Sequence, residues 1–233
     1  MKYRAIIVGA GRIGAGFNWH DDEYTHAGAY LALRERVELV GFVEPDAERA
    51  TAAEAKWKVP VYQDAGMAPD VEIVSVCTPP ERHAEDLIPF IKGKIKGVWM
   101  EKPFGLSGEG ECPIAIQVNY LRRASKAHQK IANLVDIRCG APDNQLHVIA
   151  KDDIHTRCHF EDLASWWGCD LIYHPFDGPN SYFIRFRTAS GAYTEAFFSL
   201  GGINGSECMK GMLSNILDHL DNGTPLFSPA RTT

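Results

Sequence analysis

The segment at residues 5–14 constrains the fold of this chain more than any other. It reads Ala-Ile-Ile-Val-Gly-Ala-Gly-Arg-Ile-Gly, an apolar run followed by glycines at positions 9, 11 and 14. An uninterrupted apolar run of this kind is typical of a parallel strand that is buried on both faces. Glycines at this spacing allow a tight turn into a helix that packs closely on the strand. The segment therefore predicts the strand, turn and helix that open a βαβ unit.

The same glycines predict a binding loop for the pyrophosphate of a dinucleotide. Gly9 permits the tight turn, Gly11 lets the backbone approach a phosphate, and Gly14 lets the helix lie close to its strand. Arg12 and Ile13 complete the loop and belong to the predicted cofactor site. The N–H groups at the start of the helix are the expected phosphate ligands.

Glu44 predicts which dinucleotide is bound. It ends a predicted strand at residues 37–43, where a carboxylate binds the diol of an adenosine ribose. The gap from the glycines is longer than usual, and we interpret residues 17–25 as an insertion, either a lid over the cofactor or an exposed loop. A phosphate about 4 Å from this carboxylate would cost on the order of 4 kcal/mol per unit charge, more than Arg49 would return. NAD is therefore the predicted cofactor, and NADP is the alternative.

Residues 1–104 alternate strand and helix signals, which favours a doubly wound parallel sheet of the Rossmann type. Gly9, Glu44, Thr78 and Lys102 each follow a predicted strand. Because ligands bind beyond the carboxyl ends of such strands, we expect these residues to share one edge of the sheet. The predicted strands cover residues 5–8, 37–43, 59–62, 71–77 and 98–100, and the predicted helices begin at Asp46 and Glu81.

The second half of the chain predicts a smaller α+β domain built on a mostly antiparallel sheet. After a glycine-rich connection at residues 105–112, a strand at 114–118 closes the first domain. Further strands are predicted at 145–150, 181–188 and 192–200, with a hairpin turn at Ser190-Gly191, and helices at 122–135, 155–168 and 207–220. We predict a dinucleotide-binding domain at residues 1–118 and a substrate and oligomerisation domain at residues 119–233.

Composition excludes several classes of protein. A net charge of −6 argues against a nucleic acid or an anionic membrane as partner, and no apolar stretch approaches the 18 or so residues that span a bilayer. The chain opens on a predicted strand rather than a signal peptide. Six cysteines without Cys-x-x-Cys spacing are expected to be reduced, as in a cytoplasmic protein.

Several motifs together resemble the glucose-fructose oxidoreductase / inositol dehydrogenase (Gfo/Idh/MocA) family. They are the glycine loop, Glu44-Pro45-Asp46, Cys77-Thr78-Pro79-Pro80 with His83, Glu101-Lys102-Pro103, Asn119-Tyr120-Leu121-Arg122-Arg123, His159-Phe160-Glu161-Asp162 and Leu217-Asp218-His219-Leu220. The resemblance implies an NAD(P)-dependent oxidoreductase with a Rossmann domain, an open-faced sheet domain and assembly into a dimer or tetramer. Its members usually exceed three hundred residues, and they commonly carry Asp where this chain has His155.

Catalytic roles are predicted for three side chains. The ammonium of Lys102 is expected to stabilise charge on the substrate oxygen. His159 is the predicted general acid and base, because imidazole titrates near neutral pH. His155, one turn earlier, either shares the proton relay or indicates that catalytic activity has been lost.

Cofactor-binding roles extend beyond the glycine loop and Glu44. Cys77, Thr78 and Pro79 close one strand, and Glu101 is expected to orient Lys102 or the nicotinamide ribose. His83 is placed near the nicotinamide, with a surface helix position as the alternative.

The predicted function is hydride transfer between a nicotinamide and a hydroxyl or keto group of a sugar, polyol or sugar acid. No metal is expected. One alternative is a dinucleotide- or ligand-sensing protein without turnover. Another is a zinc enzyme that uses the i,i+4 pair His155 and His159. Arg122 and Arg123 are either ligands of an anionic substrate group or solvated helix positions.

Overall fold

A six-stranded parallel sheet forms the first of two units into which the chain divides. The computed structural model describes residues 2–104, 114–135, 144–150, 153–177, 181–188, 190–199 and 204–227. The strands are β1 (Tyr3–Val8), β2 (Val37–Val43), β3 (Val61–Tyr62), β4 (Ile73–Val76), β5 (Gly97–Met100) and β6 (Ala115–Val118). Their order, β3-β2-β1-β4-β5-β6, reverses beside β1 as in a doubly wound sheet. The predicted Rossmann architecture is confirmed.

Helices connect these strands: α1 (Arg12–Ala15), α2 (His26–Ala32), α3 (Ala47–Trp57) and α4 (His83–Ile91). The carboxylate of Asp46 accepts a hydrogen bond from the Arg49 amide and caps α3, because helix N-termini leave such amides unsatisfied. Only four residues are helical directly after the glycine loop. The chain then crosses residues 16–25, which include the predicted insertion, before α2 resumes the helical path.

The central strands are apolar because both of their faces are covered. Every residue of β4 and β5 is buried. Ile6, Val74 and Val98 form part of one cluster that packs against Leu87 and Phe90 of α4. Burial of this kind contributes about 25 cal/mol for each Å² of apolar surface removed from water. The sheet is thereby a rigid base for the loops at its carboxyl edge.

The second unit, Tyr120–Asn204, contains a four-stranded mixed sheet. It consists of β7 (Gln145–Ala150), β8 (Asp170–Pro175), β9 (Ser181–Arg187) and β10 (Tyr193–Ser199), in the order β10-β9-β7-β8, with α5 (Lys126–Leu134) and α6 (Ile154–Trp167). Three strands are antiparallel, and the β9–β10 hairpin turns at Ser190-Gly191 as predicted. The strand β8, which follows α6 and pairs parallel to β7, is not predicted from the sequence.

One helix belongs to a different unit from the one predicted. The helix α7 (Gly205–Asn222) groups with the parallel sheet, whereas the predicted second domain ran to residue 233. Its apolar face, including Met212, Leu213 and Ile216, is fully buried, and Arg36, at the start of β2, pairs with Asp218 and Asp221. The apolar pattern of a long amphipathic helix predicts that one of its faces is buried. The pattern does not identify the surface against which that face packs.

Two further observations concern the composition. Within the described ranges, no helix is both long enough and apolar enough to cross a membrane. Among the described residues, Cys77, Cys158, Cys169 and Cys208 take part in no disulfide. The predicted connection at residues 105–112, with Cys112, and the residue Cys139 lie outside the described residues.

Candidate functional site

A cleft of about 320 Å³ lies where β1, β2 and β4 end. Six of the predicted cofactor-binding residues line it: Gly9, Gly11, Glu44, Cys77, Thr78 and Pro79. Arg49 and Arg82 also line it. Arg12, Ile13, Gly14, His83, Glu101 and Lys102 are not among its lining residues. Half of the predicted cofactor-binding residues therefore line one concave surface at the carboxyl edge of the sheet.

The three glycines differ in what surrounds them. Gly9 has φ of +96°, and a Cβ there would lie 3.0 Å from the backbone of Cys77, so a side chain is disfavoured twice. A Cβ on Gly14 would overlap with the carbonyl oxygen of Gly9. Nothing lies within 4 Å of a Cβ built on Gly11. Gly9 and Gly14 are thus required by the fold itself, while Gly11 leaves open space.

Glu44 is buried, with 4% of its surface exposed. One carboxylate oxygen accepts from the Ala10 amide at 2.8 Å and the other from the Asp46 amide at 3.1 Å. These bonds fix the carboxylate between the glycine loop and the start of α3. Each oxygen retains a further acceptor site, so the group is able to accept hydrogen bonds from two ribose hydroxyls.

Thr78 and His83 form a second polar contact beside the cleft. The imidazole Nε2 of His83 lies 2.9 Å from the Thr78 carbonyl oxygen. The ring is fully buried, and burial lowers the pKa of His83 despite this hydrogen bond and nearby carboxylates. The surface-histidine alternative is therefore wrong. The Thr78 hydroxyl oxygen is buried without a hydrogen-bond partner among the described residues.

Glu101 and Lys102 follow β5, next to β4 in the sheet. The Glu101 carboxylate is 8% exposed and accepts from the Lys102 amide at 3.3 Å and from the Asn119 side-chain amide. His26 Nε2 contacts the same carboxylate at 3.0 Å. Burial alone would raise the pKa of Glu101, but hydrogen bonding and charge from His26, then Asn119 and Lys102, lower it overall. The Lys102–Pro103 peptide is cis.

His26 was not identified from the sequence as a site residue. It precedes Glu101 by 75 positions and follows the insertion, so no local pattern marks it. Asn119 carried a usable signal, because it directly follows β6 as the other site residues follow their strands.

The insertion packs against its surroundings. The Arg12 guanidinium lies over the Trp19 ring, 4.6 Å from its centroid. Asp22 pairs with Lys56 of α3, and the Tyr24 ring lies where a Cβ on Gly205 would be. These contacts hold the insertion on the first unit, and they engage Arg12, which does not line the cleft.

In the second unit, His159 lies on α6 and its ring meets Tyr120 edge-on, with centroids 6.1 Å apart. Burial raises the pKa of Tyr120, with smaller contributions in the same direction from Cys158 and Asp162. The tyrosine is therefore a neutral hydroxyl at physiological pH.

Arg123 is buried and forms a bidentate pair with Asp162, with bonds from 2.8 to 3.1 Å. The Arg122 guanidinium lies over Phe160 and donates to the Tyr182 hydroxyl at 3.3 Å. The interpretation as a solvated helix position is therefore wrong for Arg123, whereas Arg122 is half-buried. The side chain of His155 lies outside the described residues, and within those residues no three His, Cys, Asp or Glu side chains form a metal-binding group.

The cleft fits the phosphates and ribose of a dinucleotide. Open space above Gly11 leaves room for a pyrophosphate, and Glu44 presents acceptors for a diol. The unpartnered Thr78 hydroxyl supplies a further polar atom beside the cleft.

Comparisons with known proteins agree with this geometry. The model of the oxidoreductase family with an NAD-binding Rossmann fold, GFO_IDH_MocA, matches residues 3–130, more than half of the chain. No curated protein matches the chain in sequence.

Solved structures share the fold at low identity. The WlbA dehydrogenase from Bordetella pertussis, in complex with NADH and UDP-GlcNAcA, is 14% identical with a TM-score of 0.66, covering 98% of this chain and 91% of its own. An oxidoreductase from Agrobacterium radiobacter with NAD+, L-tartaric acid and magnesium is 11% identical with a TM-score of 0.68, over 98% and 91%. The myo-inositol 2-dehydrogenase from Lactobacillus plantarum is 14% identical with a TM-score of 0.64, over 96% and 89%.

The family match covers the glycine loop, Glu44, the Thr78 turn and the Glu101-Lys102-Pro103 segment, which are the residues that the sequence and the sheet edge single out. The chain therefore belongs to the Gfo/Idh/MocA oxidoreductase family, whose Rossmann fold binds NAD.

Proposed function

We propose that this protein transfers a hydride between NAD and a carbon that bears a hydroxyl or keto group in a sugar, polyol or sugar acid. The observation that carries the proposal is that the cleft and Lys102 lie at the same edge of the sheet. The cleft lies at the ends of β1, β2 and β4, and Lys102 follows β5, which is the neighbour of β4. The relatives named above support the substrate class, because they are an inositol dehydrogenase and complexes with a nucleotide sugar acid and tartaric acid.

Each of the predicted site residues has one proposed role. When bound, NAD supplies the nicotinamide that accepts or returns the hydride. Gly9, Gly11 and Glu44 hold the dinucleotide through its phosphates and ribose. Lys102 stabilises negative charge on the substrate oxygen. His159 takes the hydroxyl proton during oxidation and returns it during reduction, with His155 as its partner in the relay.

The preference for NAD over NADP rests on Glu44. The carboxylate is buried and held by two backbone amides, so its rotation away from a 2′-phosphate would break both hydrogen bonds. Like charge at about 4 Å costs on the order of 4 kcal/mol at an effective dielectric of about 20.

Turnover by purified protein tests the function. NAD is supplied with a panel of polyols, aldoses and sugar acids, and NADH formation is followed by absorbance. Lys102→Ala should lower kcat/KM by about 100-fold or more, as expected for loss of an electrostatic catalyst. Lys92→Ala changes an exposed lysine and should leave the rate unchanged. Binding of NAD without turnover across the panel would favour the sensing alternative instead.

We also propose that the protein is a cytoplasmic dimer or tetramer. One face of the second sheet packs on α5 and α6, and the opposite face exposes Ile149, Tyr193 and Phe197. An apolar surface of this kind is typical of an interface between subunits. The described cysteines form no disulfide, which supports a reducing compartment.

A further inference from the structure

A buried hydrogen-bond network holds the carboxylate beside Lys102. His26 and Asn119 are 0% and 2% exposed, and both contact the same oxygen of Glu101. The other oxygen accepts the amide of Lys102 at 3.3 Å. The Glu101 carboxylate therefore links the backbone of Lys102 to His26 of α2 and to Asn119, which follows β6.

His26 itself is held rigidly. It is the first residue of α2, whose N-terminus is capped by the Thr25 hydroxyl. Its ring lies against Trp99 of β5, with centroids 3.7 Å apart. Trp99 donates in turn to the Asn119 side-chain oxygen at 3.1 Å. The ring is therefore held on one side by a tilted aromatic contact and on the other by the Glu101 carboxylate, and it constrains that carboxylate in turn.

Glu101 is the only hydrogen-bond partner of the His26 imidazole within the described part of the chain. The second ring nitrogen, Nδ1, is buried without a partner there. A histidine that served only to fill space would gain nothing from this polar burial, because an unsatisfied polar atom destabilises the folded state by about 1–3 kcal/mol. The contact with Glu101 is thus the feature that explains a histidine at this position.

We propose that His26 is a positioning residue that keeps the Glu101 carboxylate ionised and aligned, and thereby sets the position of Lys102. The expected effect of His26 on the reaction rate rests on the proposed function. The effect of His26 on the ionisation and position of Glu101 does not depend on turnover. Asn119 shares the task as a neutral donor.

Other titratable groups also face Glu101. The positive charge of Lys102 favours the ionised form of Glu101. Burial raises the pKa of Cys77 and the Glu101 charge adds to this effect, whereas burial lowers the pKa of His83 and the Glu101 charge opposes it. Removal of the His26 donor should therefore raise the pKa of Glu101, because hydrogen bonds to the charged form are what favour it against burial.

The test compares His26→Phe, which keeps a stacking ring but removes the donor, with His26→Gln, which keeps an amide donor of similar reach. Protein with ¹³C-labelled glutamate carboxyls and no added dinucleotide is titrated by NMR, and Glu101 is assigned from its absence in Glu101→Gln. His26→Phe should raise the pKa of Glu101 by about one unit, a tenfold change in proton affinity. His26→Gln should largely restore it.

The same variants are then assayed for turnover. His26→Phe should lower kcat about tenfold and move the acid limb of the pH profile upward, with KM for NAD within about twofold, and His26→Gln should recover most of the rate. The matched control is His128→Phe, a fully buried histidine of the second unit that bonds Ser125 and Tyr182. It should leave both the Glu101 titration and kcat unchanged below its melting temperature.

An unchanged Glu101 titration in His26→Phe would overturn the inference. Failure of Lys102→Ala to lower the rate, or absence of turnover in the unmodified protein, would overturn the proposed function and leave the titration to decide on the network. Should His26→Phe not fold, His26→Asn carries the same test. Its amide takes the place of Nδ1 and does not reach Glu101.

Discussion

At the scale of single residues, the glycine loop makes the sharpest distinction between folding and binding. Gly14→Ala should lower the free energy of unfolding by about 2–4 kcal/mol, because its Cβ would overlap with the Gly9 carbonyl oxygen.

The Cβ of Gly11→Ala would lie in open space, so this variant should change the free energy of unfolding by less than about 0.5 kcal/mol. Its Kd for NAD should instead rise about tenfold or more, since the methyl group occupies the path of the pyrophosphate. Urea unfolding and calorimetric titration measure the two quantities, and equal stability of the two variants would contradict the interpretation.

Glu44 supports a second prediction at this scale. Glu44→Gln retains an oxygen that accepts one of the backbone hydrogen bonds now made by the carboxylate, but it removes the negative charge. The ratio of Kd for NADP to Kd for NAD should therefore fall by about tenfold or more, because like-charge repulsion is relieved. Fluorescence titration with both reduced nucleotides gives this ratio. The control is Glu48→Gln, which changes an exposed carboxylate of α3, the helix that begins three residues after Glu44. An equal effect there would show that net charge rather than Glu44 sets the preference.

At the scale of elements, the packing of α5 on the second sheet should depend on pH. Burial lowers the pKa of His128 to about 3, and the charge of Arg122 acts in the same direction. An unfolded chain takes up this proton as the pH falls through about 6.5, whereas the folded chain does not until about pH 3. Neutral His128 therefore makes its full contribution to the free energy of unfolding above pH 6.5. Below that pH the free energy of unfolding falls, by about 2 kcal/mol at pH 5.

Urea unfolding at pH 7.5 and pH 5.0 tests this dependence. His128→Gln, whose side chain does not titrate, should lose about 2 kcal/mol less than the unmodified protein between these two pH values. His20→Gln removes an exposed histidine and should retain the full pH dependence. Equal losses in all three proteins would mean that His128 is not buried in its neutral form.

At the scale of the whole molecule, assembly should depend on the exposed face of the second sheet. Rings stack across it from His147 to Phe183, with centroids 4.5 Å apart, and from Phe183 to Phe197 at 5.2 Å. Phe197 is 73% exposed. Phe197→Glu should therefore convert the proposed oligomer to monomer in sedimentation equilibrium at micromolar concentration, because an unpaired charge would be buried in the interface.

The matched control is Ile88→Glu, which changes an apolar residue of α4 that is 57% exposed. It should leave the sedimentation of the protein unchanged. A monomer in the unmodified protein would contradict the proposed assembly, and an effect of Ile88→Glu equal to that of Phe197→Glu would move the interface elsewhere.

The sequence alone determined the parallel sheet, the hairpin and the positions of Gly9, Glu44 and Thr78 at one edge. Each depends on neighbours in the chain: apolar runs, glycine spacing, and a polar residue at the end of a strand. Tertiary structure alone decided that His26 meets Glu101, that Arg123 pairs with Asp162, and that α7 packs with the parallel sheet. These contacts join residues tens to hundreds of positions apart, and burial selects them through shape and charge complementarity between surfaces that form only when the chain has folded.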